Sequence, residues 1–206
     1  IDAKIELKDS KIKLIGKIPK HWQLSKIGRH FKIERGRVIS NVDILENLGQ
    51  YPVYSSQTKN NGELGLINTY DFDGEYVSWT TDGANAGTCF HRKGKFNVTN
   101  VCGLLSSHKL RVDYLFLTFY LNLITKNYVR LDINPKLMND MMSEIPFIIV
   151  PLEEQIKIVK KIKTILDSID KTISIETKRI EKLSEFKTCL ISSLVVGKKQ
   201  LKNSNE

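Results

Sequence analysis

Between positions 151 and 196, apolar residues recur along a single stripe: Leu152, Ile156, Val159, Ile162, Leu166, Ile169, Ile173, Ile180, Leu183, Leu190 and Leu194. From Ile162 the steps alternate four and three, the spacing of a heptad seam, with Glu176 and Lys187 interrupting it. The step of three from Val159 to Ile162 breaks phase in the manner of a stammer. Pro151 costs nothing at a helix start, where its missing N–H has no intrahelical partner to lose. Glu153 and Glu154 follow in the first turn, where the helix dipole favours acid. Gly197 ends the run. At a rise of about 1.5 Å per residue the expected helix is on the order of 65–70 Å long. That exceeds the width of a small domain, so it is expected to project from one and bury its seam on another helix. A surface helix folded back on its own domain is the competing reading. A single apolar stripe with charge on every other face favours a coiled-coil arm.

Upstream the period changes. Residues 1–20 are Lys-rich, with Gly16 and Pro19 interrupting any pattern, and read as a linker and lead-in. A short amphipathic piece follows at 18–31, where Trp22 and Ile27 are expected to cover the core. Residues 31–40 read as a strand and turn carrying Lys32, Arg35 and Arg37 around Gly36. Three cations beside a flexible glycine suit phosphate contacts; a solvated turn fits equally well. Residues 51–112 break into short β-branched or aromatic pieces between turn signals at Asn61-Gly62, Asp73-Gly74 and Asp82-Gly83. That spacing predicts a curled, largely antiparallel sheet and argues against parallel βαβ units. Asp113 is expected to cap an apolar helix packed on that sheet.

Two polar loops interrupt the sheet. Residues 55–62 offer Ser55, Ser56, Gln57, Lys59 and Asn60, whose donors and acceptors can pair with base edges. Residues 79–94 combine Thr80, Thr81, Asn85, His91, Arg92 and Lys93 with Gly83 and Gly87, where backbone could approach a ligand closely. Two polar hairpin loops without a ligand remain the alternative.

Composition adds compartment and partner. The chain has 206 residues, 41% hydrophobic and 27% charged, enough for one domain plus an arm. No apolar run reaches the roughly 18 residues of a membrane span, and no signal peptide is evident. Cys89, Cys102 and Cys189 are odd in number and lack CxxC spacing, so a reducing cytoplasm is expected, with neither disulfide nor zinc. The net charge of +9 suits a polyanion. The excess is spread over both parts of the chain, so charge by itself favours nucleic acid only slightly. The chain begins without methionine in a polar segment, which reads as a piece of a longer protein.

Catalytic signatures are missing. There is no GxxxxGK[ST] and no GxGxxG, and Asn134-Pro135 is followed by Lys136-Leu137, not by the second proline and aromatic with which amino-methyltransferases grip a flipped base. Glu176 and Lys178 form an ExK, but on the long charged helix with no sheet around them. His21, His30, His91 and His108 make no HxH or HxxxH pair. No catalytic residue, metal or cofactor is therefore expected.

The segment LDINPKLMNDMMSEIPFIIVPLEEQIKIV at 131–159 resembles the boundary between a target recognition domain and a conserved long helix in specificity subunits of type I restriction–modification systems. Matching pieces stand in order at 8–27, around IPKHW, at 49–57 and at 79–100, so the resemblance covers nearly the whole chain. It implies an α+β fold: a globular mixed α/β target recognition domain with a curled, largely antiparallel sheet, followed by a long projecting coiled-coil helix. The implied divisions are a linker at 1–20, the recognition domain at 21–150, the spacer helix at 151–197 and a polar tail at 198–206. Such subunits typically carry two recognition domains and two long helices packed antiparallel. Each domain reads half of a bipartite DNA site, and the subunit holds modification subunits with the adenine methyltransferase chemistry. The implied partners are double-stranded DNA, adenine methyltransferase subunits, restriction/translocase subunits through the complex, and a second copy or second half through the helix. The chain departs from the pattern by being half, expected to be the C-terminal half, with a self-pairing natural half as the other possibility. A coiled-coil adaptor that never touches nucleic acid is the rival from another class.

Overall fold

A computed structural model describes residues 6–131 and 133–197, so the expected polar tail and the first five residues lie outside the described residues. The chain divides into two units, Ile1–Val159 and Lys160–Glu206. In order, the elements are β1 (Leu7–Asp9), β2 (Lys17–Pro19), β3 (Gln23–Lys26), a 3-10 turn (Ile27–Arg29), β4 (Phe31–Arg35), α1 (Asn41–Glu46), β5 (Leu48–Tyr54), a 3-10 turn (Lys59–Gly62) and β6 (Glu63–Ile67). There follow β7 (Phe72–Thr80), β8 (Cys89–Val98), β9 (Cys102–Ser107), α2 (Tyr114–Ile124), α3 (Asn139–Glu144), β10 (Pro146–Ile149) and α4 (Leu152–Val195).

The main sheet has six strands in the order β4-β9-β7-β8-β5-β6. All its pairings are antiparallel except β5 with β8. Its curl follows from register. Phe96 pairs with Phe72 and Cys102 with Thr80, on opposite sides of β7. A straight β7 would hold those positions about 26 Å apart, whereas the six-residue path from Phe96 to Cys102 reaches about 20 Å. The strands must coil, in the right-handed sense usual for sheets. Gly74 (φ +133°) faces Gly94 (φ +87°) at the bend. The Asp73-Gly74 pair expected as a turn therefore lies inside β7, where glycine permits a kink.

Alternation then builds two cores. On one face Phe96, Val98, Cys102 and Leu104 pack with Tyr54, Phe72 and Tyr76. On the other, Val77, Trp79, Cys89 and Leu105 meet Phe31, Ile27 and the apolar face of α2, with Leu117 and Leu121 fully buried. Asp113 caps α2 by accepting from Phe116 N at 2.8 Å. The Asn122 side chain donates to Cys89 O (2.8 Å) and accepts from Cys89 N (2.9 Å), docking α2 on β8.

The lead-in differs from its expected form. β1 and β2 pair antiparallel, and Ile12 and Ile18 enter the core beside α2, so residues 7–19 are built into the domain. Their alternation was too short to read through Gly16 and Pro19. The amphipathic piece after them is β3, paired with β10, plus a 3-10 turn. α1 begins with a capping box formed by Ser40 and Asp43.

α4 is one continuous helix across the division between units. Its first turns belong to the globular core: Val159 is 6% exposed and packs there, and the Gln155 side chain donates to Val150 O and accepts from Asp113 N. Val159, expected on the helix-pairing seam, is thus a core residue. The phase break between Val159 and Ile162 falls where the two units divide. Beyond it, Leu166, Ile169, Ile173, Ile180, Leu183 and Leu194 are exposed.

Candidate nucleic-acid interface

The end of the sheet where β4 and β7 finish gathers several loops through a continuous chain of contacts. The Ser55 hydroxyl accepts from Thr99 Oγ1 at 3.2 Å, and Thr99 bridges to Arg37. Next to it, Arg35 Nε donates to Asn100 O at 2.7 Å and its Nη2 to Thr81 Oγ1 at 3.3 Å. Asp82 collects Arg35 (3.6 Å), Lys136 (3.9 Å) and the Thr81 hydroxyl (2.6 Å). The backbone ties the loop before α3 to the same place, with Gly83 N donating to Pro135 O and Leu137 N to Thr81 O, both at 2.9 Å. Four segments, around residues 35–37, 81–87, 99–101 and 133–137, thus share one end of the domain, and Ser55 ties the 55–62 loop to it through Thr99.

The sequence candidates sort accordingly. Arg35, Arg37, Lys59, Asn60 and Asn85 are exposed at this end; Ser55, Ser56 and Gln57 are half-buried. Arg37 pairs with Asp71 at 2.8 Å. Gln57 Nε2 donates to Glu63 O, which leaves its side-chain carbonyl as the remaining acceptor. Thr80 and Thr81 are buried and serve the frame: Thr80 Oγ1 donates to Asn85 O and accepts from Thr88 N at 3.1 Å, so it shapes the 81–88 loop. Lys32, earlier on β4, is paired with Glu34 at 2.8 Å. His91 and Lys93 lie on the face of β8 that carries Cys89, with His91 2.7 Å from Glu75, apart from the loop end.

Arg92, a cation named among the DNA-contact candidates, is buried. A phosphate contact must be reachable, and Arg92 is 2% exposed. Its guanidinium lies 3.5 Å from the Tyr54 ring centre and 4.6 Å from that of Phe90. Its Nε donates to Ser78 Oγ at 2.9 Å and Nη1 to Asn61 O at 2.8 Å. Among the described residues no carboxylate pairs with it; cation–π contact and hydrogen bonds take that place. Burial lowers its pKa to about 10, opposed by Tyr54, so it stays a cation at neutral pH.

Sequence reasoning missed Tyr54, the Thr99-Asn100 turn and Lys136. The signal for the last was weak, because Lys136 lies far along the chain and meets Asp82 only in space. For Arg92 a signal existed: period two puts it on one face with Phe90, Phe96 and Val98.

Residues 19–185 match the model of the type I restriction modification DNA specificity domain. The chain belongs to that family. It is 47% identical over 137 residues to a putative type I specificity subunit of Mycoplasma pneumoniae designated an N-terminus, covering 66% of this chain and 71% of that protein. To the MpnII type I restriction enzyme specificity subunit of the same organism it is 39% identical over 163 residues, 75% of this chain and 49% of that one. Among solved structures it resembles the S subunit from M. genitalium, with TM-score 0.59 and 15% identity, over 75% of this chain and 41% of the other. A structure concerned with assembly of the type I R-M system superposes with TM-score 0.69 and 12% identity, over 85% of this chain and 46% of the other. At these identities the likeness shows the fold alone. The chain spans about half the length of several of these proteins, one curated relative excepted. Among the described residues no helix is long and apolar enough to cross a membrane.

Proposed function

We propose that this domain reads one half of a bipartite duplex DNA target and, with a second copy or second half paired through α4, docks adenine methyltransferase subunits in the bacterial cytoplasm. Restriction/translocase subunits would join through the same complex. The division into a recognition domain near residues 21–150 and a spacer helix at 151–197 is part of this reading. Membership of the DNA specificity family is the observation that carries it. The gathering of Arg35, Arg37, Ser56, Gln57, Lys59, Asn60, Asn85 and Lys136 around one end of the sheet supports it. Cations neutralise phosphates and set register, while amide and hydroxyl groups discriminate base edges.

The first test is methylation mapping of cells expressing the parent gene with its adenine methyltransferase subunit. A bipartite motif with two different halves supports a two-domain subunit of which this chain is half. A palindromic split motif supports self-pairing. No motif, with the methyltransferase active on another specificity chain, removes the reading and leaves a coiled-coil adaptor. Within the site, Gln57→Ala and Asn85→Ala are expected to change base preference. Lys59→Ala is expected to weaken binding to all sequences and to lower the salt slope by about one.

A further inference from the structure

Arg92 joins the mid-sheet to the tip of the β5–β6 loop. Asn60, Asn61 and Gly62 are consecutive left-handed residues, with φ of +48°, +52° and +81°. Such a run is disfavoured for residues with a Cβ and persists only where the surroundings over-determine it. Three bonds do so here: Arg92 Nη1 to Asn61 O, Ser55 N to Gly62 O at 2.8 Å, and Gln57 Nε2 to Glu63 O. The first is the only one of these anchored outside the loop and its flanking strands, through Ser78 on β7. Gly62 is shaped to it, because a Cβ there would sit 3.0 Å from Arg92 Nη2 and 3.1 Å from Gln57 O. Arg92 is 2% exposed, its guanidinium lies against the Tyr54 and Phe90 rings, and Nε and Nη1 are already bonded, so no phosphate approaches it.

We propose that Arg92 is a positioning residue for specificity: its guanidinium fixes the conformation in which the 55–62 loop presents Gln57, Lys59 and Asn60 to DNA, and so sets which base pairs that loop accepts. The inference rests on the DNA-reading function proposed above. The planar fork serves Ser78 and Asn61 from two separate nitrogens, whereas the three donors of lysine share one nitrogen and cannot span the same positions. A displaced loop loses base-edge geometry but keeps its charge. Arg92 therefore governs selectivity and leaves electrostatic affinity alone, the reverse of a phosphate contact.

The test uses the parent protein with its modification subunit and compares wild type, Arg92→Lys and Gly62→Ala. Methylation motif, salt dependence of DNA binding and thermal midpoint are measured for each. Both variants are expected to relax the same position or positions in one half of the motif, with discrimination there falling on the order of ten-fold. The salt slope and the other half of the motif are expected to stay unchanged. Methylation reduced evenly at all sites with the motif intact, or relaxation seen in Gly62→Ala but not in Arg92→Lys, overturns the proposal. Should Arg92→Lys fail to fold, Ser78→Ala decides by the same outcomes, since it removes the acceptor of Arg92 Nε and leaves the loop sequence intact. A wild-type complex with no motif overturns the DNA-reading function itself, and the inference with it.

Discussion

The first two turns of α4 and the remainder of that helix carry similar sequence patterns and opposite environments. Up to Val159 the helix is held on the globular core by Val159, 6% exposed, and by the two bonds of Gln155, while Ile156 of the stripe stays exposed. Past Lys160, Ile173 is 58% and Ile180 66% exposed, with Ile169 and Leu183 alongside. An apolar stripe therefore specifies that a face will be covered and says nothing about what covers it. The phase break at Val159–Ile162 is where one covering surface gives way to the need for another.

This contrast can be broken from either side. The largest effect is expected from Ile173→Asp combined with Ile180→Asp. Each buried isoleucine contributes about 1.5–3 kcal/mol, so self-association through the helix should weaken at least about a hundred-fold. Sedimentation at micromolar concentration reads this, and a wild-type monomer under those conditions would show that a second copy does not cover the seam. Gln155→Ala acts on the other stretch. It leaves Asp113 N and Val150 O unpaired and should cost about 1–3 kcal/mol, seen as a lower thermal midpoint with association unchanged. Val159→Ala, at about 0.8 kcal/mol per buried methylene, should cost roughly 1.5 kcal/mol and likewise spare association. The smallest effect concerns Glu154, which accepts from Trp22 Nε1 at 2.9 Å and lies 2.7 Å from His21 Nε2. Burial pulls its carboxyl up, but the bonds from Trp22 and His21 outweigh that and hold it below the usual range. A depressed folded pKa gives stability present above the ordinary carboxylate value and lost as pH falls through the folded one. Glu154→Gln should lower the thermal midpoint slightly at neutral pH and leave strongly acid pH nearly unchanged, which flattens the acidic limb of the melting curve.

Much of the fold was legible because periodicity reports burial directly. The cap at Asp113, the apolar α2 and the strands around YPVYSS and EYVSWT appear near their expected places. The hairpin of β1 and β2 was not legible, since a three-residue strand gives too few alternations to count. In the candidate site, Arg35, Lys59 and Asn85 could be named from residue type and loop position. Arg92 could not be assigned correctly from type, because a cation in a polar-looking segment suggests solvent. Its strand neighbours Phe90 and Phe96 pointed instead to an apolar face, and Tyr54 reaches it from β5 only through the β5–β8 pairing.

The sequence by itself determined the long helix and its apolar stripe, the capped α2, the curled sheet and the family, because these follow from local spacing and from motifs continuous along the chain. Tertiary structure alone decided which loops share one end of the sheet, that Asp82 meets Arg35 and Lys136, and that Arg92 supports a loop from within. Those outcomes depend on register and coil, which bring residues dozens of positions apart to within hydrogen-bond distance. No spacing rule along one chain encodes them.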